Sequence, residues 1–216
     1  APGMDLAASG MAPSVQYVNG PQALVGKALR FDGVDDQAVI DNAQLRTNGM
    51  AVDFCFAAYR PHNTTGQALV SCGYGESGNY GSGWSVFIKN QALHFTVNLD
   101  GQPDGPEIDL VHRTAIDIST VGGEKWHHVR ASYDGDTARL ALDGDEATND
   151  ASSGPIQYLE DSSFTLGMFS SQGSSADYLD GMLDDLEFYS TGMTPPAALP
   201  RTGSLKVNIE PREAQQ

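Results

Sequence analysis

The sequence predicts an all-β protein, a two-sheet antiparallel β-sandwich, and three observations carry that prediction. Apolar residues recur with a period of two along many short segments. Clusters of Gly, Asp, Asn and Ser separate those segments at the spacing of hairpin turns. Helical periodicity is nearly absent, and 24 glycines with 11 prolines among 216 residues favour short strands joined by many turns. A chain of this length encloses one sizeable core, and sandwiches of this size are commonly single domains.

Along the chain, the alternating pairs and triplets are Leu29 and Phe31, then Val52, Phe54 and Phe56, then Trp84, Val86 and Ile88. Leu93, Phe95 and Val97 follow, then Ala138, Leu140 and Leu142, and finally Leu186 and Phe188. Each set lines one face of a strand, because successive side chains point to opposite sides. The intervening DGVDD, KNQA, YDGD and LDGD clusters read as turns. The one helical candidate is Thr194–Leu199, where Thr194 could cap and Pro195 could open the first turn.

Charge narrows the function classes. Twelve basic against 28 acidic residues give a formal net charge of -16, which repels nucleic acid and anionic membranes and leaves neutral ligands and divalent cations. No run approaches the roughly 18 to 20 apolar residues of a membrane span, so membrane insertion is not expected. The N-terminus lacks a basic-then-apolar leader pattern and reads as that of a mature or excised piece.

Two adjacent histidines, His127 and His128, raise the question of a metal or of proton transfer. The parity of Val129, Ala131 and Tyr133 puts His127 on the inward face and His128 on the outward one, so the two cannot close on one metal without a bulge. Cys55 and Cys72 fall in separate strands, and either a disulfide or two unpaired thiols fits the sequence. Within the 73–84 loop, Tyr74, Asn79 and Tyr80 stand among five glycines. Aromatic faces and an amide there suit a sugar, while the alternative is an ordinary glycine-rich connection.

Four segments carry a family resemblance: GKALRFDGVDDQAVI at 26–40, VDFCFAAYRP at 52–61, WHHVRASYDGDTARLALDGDE at 126–146 and YLDGMLDDLEFYSTGMTPPAAL at 178–199. A strand ending in Phe-Asp-Gly, a Trp-His-His-Val strand running into a hairpin and a closing Asp-Gly-x-x-Asp strand together resemble the laminin G-like, pentraxin-related bacterial branch of the concanavalin A-like jelly rolls. Ala57 and Gln37 depart from aromatic positions of that pattern. The resemblance implies one jelly-roll domain over residues 1–199. Residues 200–216 contain a fresh alternating run, Leu205, Val207 and Ile209, and read as a linker with the first strand of a following domain, or as a disordered tail.

The resemblance further implies a structural calcium ion held by Asp32, Gly33 and Asp184. The residues agree in part, since Asp184 shares the parity of Leu186 and Phe188, and an inward carboxylate needs a cation or hydrogen-bond donors. The alternative is an aspartate that accepts bonds from turn amides. The expected function is non-catalytic carbohydrate recognition or adhesion within a larger secreted or surface protein. Its expected partners are a glycan or an extracellular protein ligand, and the module is expected to be monomeric and extracellular or on the cell surface. Two other classes stay open, a ligand-free spacer and a glycoside-active domain. Glu107 and Asp109 share one strand face, similar to the Glu-x-Asp-x-x-Glu catalytic strand of related glucanases, but His112 stands where the third carboxylate would be.

Overall fold

The computed structural model describes residues 16–19, 27–40, 45–60, 66–73, 82–99, 107–149, 153–158, 162–169, 178–190 and 204–206. Among them are fourteen strands and no α-helix. The larger sheet runs β1 (Gln16–Asn19), β2 (Lys27–Asp32), β13 (Asp180–Ser190), β4 (Met50–Ala58), β9 (His127–Tyr133), β10 (Ala138–Leu142) and β11 (Asp145–Asn149). A further strand of that sheet, β14 (Ser204–Lys206), pairs with β13. The smaller sheet runs β3 (Ala38–Ile40), β12 (Phe164–Leu166), β5 (Gln67–Cys72), β6 (Trp84–Lys89), β7 (Ala92–Asn98) and β8 (Glu107–Ala115).

The alternating sets form the facing surfaces of the two sheets. Phe31, Phe54, Phe56, Val86, Ile88 and Leu140 are fully buried in one cluster, and Leu29, Leu142 and Phe188 join them with almost no exposure. Each such side chain, removed from water, contributes roughly 1.5 to 3 kcal/mol. Trp84 of the smaller sheet stacks on Phe188 of the larger at 6.1 Å and meets Phe164 edge-on at 5.7 Å, so aromatic contacts tie the layers together. KNQA and LDGD form two-residue hairpins, with positive φ at Asn90, Gln91, Asp143 and Gly144 as the right-handed strand twist requires.

Three expectations need comment. Cys55 and Cys72 are unpaired, because β4 and β5 belong to different sheets and Cys55 lies on the outer face beside His128 while Cys72 is buried in the core between the sheets. Asp184 does not share the face of Leu186 and Phe188. Pairing to β4 runs to Asp184↔Cys55 and resumes at Glu187↔Asp53, so Asp185 and Leu186 together oppose Phe54. Asp185 takes a φ of 50°, and this bulge resets the alternation. Leu183, Leu186 and Phe188 therefore meet the core while Asp184 lies on the outer face. Of the expected linker and tail, residues 204–206 pair with Glu187, Phe188 and Tyr189 of β13. The helical candidate at 194–199 lies outside the described residues.

Candidate functional site

The first and last parts of the fold meet at one rim of the larger sheet, where Asp32↔Asp180 to Leu29↔Leu183 pair β2 with β13. Past Asp32 the chain turns sharply. Asp32 Oδ1 accepts the Val34 N–H at 2.8 Å and the Asp35 N–H at 3.5 Å, and Asp36 Oδ2 accepts the Asp32 N–H at 3.0 Å. Gly33 adopts a φ of 77°, and a Cβ there would lie 2.7 Å from that of Asp180. Asp180 in turn holds Arg30 Nη2 at 3.1 Å, and the Arg30 guanidinium lies 4.4 Å over the Tyr59 ring. The turn thereby gathers ligand oxygens of Asp32, Asp35 and Asp36 within 4.8 Å of one another. Three carboxylates this close are a hard-oxygen donor set that fits calcium.

Asp184 does not join this turn. It stands four residues beyond Asp180, roughly 13 Å along the strand. Its Oδ1 accepts the Asp185 N–H at 2.8 Å, its Oδ2 is buried without a partner, and burial raises its pKa. The aspartate of the closing strand that faces Asp32 is Asp180.

The histidines follow strand parity. His127 is buried against Phe56, with ring centroids 5.3 Å apart, and its Nδ1 donates to Asp143 Oδ2 at 2.8 Å. His128 is exposed, and its Nε2 lies 2.6 Å from Asp53 Oδ1. Asp53 Oδ2 accepts from Arg130 Nε at 2.9 Å and Nη2 at 2.6 Å. Burial alone would raise the Asp53 carboxyl, but hydrogen bonds from His128 and Arg130 outweigh it and hold the group below its ordinary value. That bond also raises His128. Asp143 binds both neighbours, its Oδ1 accepting the His128 N–H at 2.8 Å.

Tyr74, Asn79 and Tyr80 lie outside the described residues, but the base of their loop is visible. Ser82 Oγ donates to Gly73 O, which joins the two described ends of the loop, and the Gly83 N–H donates to Gln157 O at 2.6 Å, which anchors the second end to a separate segment. On β8, Asp109 Oδ1 pairs with His94 Nδ1 at 3.0 Å, and His94 stacks on Phe87 at 4.9 Å. His112 is buried, with Nε2 3.0 Å from Asp145 O.

A laminin G-type family model, described as the concanavalin A-like lectin/glucanases superfamily, matches residues 32–197. The chain belongs to that superfamily. No curated protein matches its sequence. Among solved structures, the binding domain of Paraclostridial Mosquitocidal Protein 1 aligns with TM-score 0.61 at 16% identity, over 85% of this chain and 44% of that one. A variant of the NanB sialidase from Streptococcus pneumoniae aligns with TM-score 0.60 at 15% identity, over 78% of this chain and 26% of that one. Domain 4 of AbnA, a GH43 extracellular arabinanase from Geobacillus stearothermophilus solved with arabinotriose, aligns with TM-score 0.58 at 17% identity, over 85% and 79%. The chain thus spans about a quarter of the sialidase structure and under half of the mosquitocidal one, and at these identities the likeness is one of fold.

Within the concanavalin A-like fold, sequence reasoning missed Asp35, Asp36 and Asp180. The run DGVDD contains the first two, and the cue was its turn character, since three aspartates on five turn residues must converge. Asp180 opens the Asp-Gly-x-x-Asp run of the closing strand, but nothing local placed it at the turn, because its position opposite Asp32 depends on a pairing between the early and the closing parts of the chain.

Proposed function

We propose that this chain is a non-catalytic carbohydrate-binding module of a larger secreted or surface protein, with calcium held at the rim turn. The convergence of Asp32, Asp35 and Asp36 carries the calcium reading, with the Gly33 carbonyl as a further oxygen donor. Bound calcium would neutralise the turn and fix the β2 end against the neighbouring strand; no chemical step is assigned to it. The sugar-recognition reading is supported by likeness to the arabinotriose-bound arabinanase domain and by the closed base of the 73–82 loop. In this reading Tyr74 and Tyr80 offer aromatic faces and Asn79 directional hydrogen bonds. Engagement of Asp109 by His94, and an inward His112 at the third carboxylate position, favour binding over hydrolysis.

A glycan-array screen of the full chain, with and without calcium, tests the reading. Expected is selective binding that EDTA weakens and that Tyr74→Ala and Tyr80→Ala abolish. An array with no bound glycan in either buffer would leave the spacer reading, and turnover of β-glucans dependent on Asp109 would establish the glycoside-active one.

A further inference from the structure

The outer face of the larger sheet carries an apolar cluster of its own at the rim end. Ala28, Ala57 and Met182 alternate with the core residues Leu29, Phe56 and Leu183, so they point away from the core. They are nevertheless buried, and the partly exposed Tyr59 and Trp126 pack against them. Side chains on a sheet ordinarily stand upright, so two fully covered alanines mean that their larger neighbours lie across the strands.

Tyr59 is engaged within the cluster. The Arg30 guanidinium lies 4.4 Å over its ring, and its hydroxyl donates to Glu124 Oε1 at 2.9 Å. Trp126 is not so engaged, since among the described residues no ring or cation stacks on it. The β10 ladder stops short of it, where the Asp143 N–H donates to His128 O at 2.8 Å and the chain turns. Polar groups border the indole on two sides. Glu124 stands beside the cluster, and its Oε1 takes the bonds from Tyr59 and from the Gly122 N–H, while Oε2 carries neither. His128 follows two residues beyond Trp126 on the outer face, about 6 to 7 Å along the strand. An aromatic face between a carboxylate and an imidazole matches a sugar ring, whose apolar side packs on the indole while its hydroxyls bond to the flanking groups. The formal net charge of -16 disfavours an anionic sugar.

We propose that Trp126, Glu124 and His128 form a platform for a neutral saccharide on the outer face of the larger sheet. This rests on the reading of the chain as a carbohydrate-binding module and adds a second place of contact to the 73–82 loop. The two lie at opposite ends of the sandwich. Gln67 opens β5 near the rim, where its Oε1 accepts the Asp180 N–H at 2.7 Å, and β5 reaches the loop only at Cys72, roughly 17 Å further on.

The two tryptophans make a direct test, because Trp84 is buried and Trp126 is partly exposed, so acrylamide quenching reads Trp126. Loss of the quenchable emission in Trp126→Phe verifies that assignment. The full chain in calcium buffer is titrated with cellohexaose, xylohexaose, mannohexaose and arabinohexaose, and with oligogalacturonate as the anionic control. Expected is saturable shielding of Trp126 by at least one neutral sugar and none by oligogalacturonate. Glu124→Gln should weaken that binding roughly 10- to 100-fold, the loss of a hydrogen bond to a charged acceptor. Tyr74→Ala and Tyr80→Ala should keep the shielding, with circular dichroism verifying the fold of each variant. Failure of every neutral sugar to shield Trp126 overturns the platform, as does equal shielding by oligogalacturonate or full binding by Glu124→Gln. Shielding lost in folded Tyr80→Ala would place the sugar at the loop and equally refute it. Glycans that bind an array without shielding Trp126 would sink the platform alone, whereas an array with no bound glycan would remove the carbohydrate reading as well.

Discussion

Gly33→Ala tests whether the rim turn and the closing strand are as closely fitted as the structure indicates. The added methyl would lie 2.7 Å from Asp180 Cβ and 3.3 Å from its Cα, at a backbone φ of 77°. A left-handed non-glycine residue costs roughly 1 to 2 kcal/mol. Forcing Asp180 aside adds an overpacking cost of about 1 to 3 kcal/mol and disturbs its 3.1 Å contact with Arg30. The sum is about 2 to 5 kcal/mol, and at roughly 2 to 4 °C per kcal/mol for a chain this size, Tm should fall by about 4 to 20 °C. Urea denaturation gives the free energy directly. In an Asp180→Gly background the clash with the Asp180 Cβ should vanish while the 3.3 Å approach to the Cα remains, so a double-mutant cycle isolates the side-chain part of the cost. A loss below about 1 kcal/mol in the single variant, or no coupling in the cycle, would refute the close approach of Gly33 to Asp180.

Further outcomes follow from the site geometry. Chelation should lower the Tm of calcium-loaded protein by an amount corresponding to roughly 2.7 kcal/mol when calcium had stood a hundredfold above Kd; Asp36→Asn should remove that response and Asp184→Asn should keep it. In metal-free buffer the Asp53–His128 contact should add about 0.2 to 1 kcal/mol, screened because His128 is exposed. Asp53 is depressed from 3.8, so its share is present above that pH and lost as pH falls through the folded value; His128 is raised from 6.5, so its share is complete below 6.5 and lost as pH rises through the folded value. The difference in stability between the unaltered chain and His128→Gln, followed by urea melts across pH, should therefore peak between 3.8 and 6.5, and a flat difference would count against the pair. Cys72 is fully buried, with burial pushing its thiol up to about 12, so alkylation at pH 8 should spare it until the chain unfolds; prompt labelling of Cys72 in folded protein would contradict the core assignment.

The core was legible in the sequence because it depends on alternation, a local property. Phe54, Phe56, Val86, Ile88 and Leu140 needed only parity to be placed, and the same reasoning separated His127 from His128. The rim was legible in part: the turn containing Asp32 and Gly33 announces itself by its residue types, whereas its neighbour Asp180 is fixed by long-range pairing. The Gly73–Ser82 closure had no sequence cue beyond its glycines, since a side-chain bond across a loop depends on where two strands end.

Asp184 shows why parity fails where it does. Alternation was carried back from Phe188 through Leu186 to Asp184, and one left-handed residue, Asp185, broke the count. A residue inserted into one strand turns every side chain on its far side to the opposite face. The cost of that bulge is met by keeping Leu183, Leu186 and Phe188 against the core on both sides of it. Its consequence is chemical as well as geometric. Asp184 moves from the interior, where it could have faced the core, to a place beside Cys55, and the outer face gains a carboxylate whose Oδ2 has no protein partner. A variant that deletes Asp185 removes the extra residue, so Leu186 alone opposes Phe54, the ladder becomes regular, and Asp184 stays on the outer face opposite Cys55. The deletion should therefore be tolerated, and Asp184→Leu in the same background should bring no gain in stability, because the position still faces away from the core. A loss of several kcal/mol on deletion, the size expected for a buried unpaired carboxylate, with recovery in the Asp184→Leu double variant, would show that Asp184 had turned inward and that Asp185 is not the residue that sets its face.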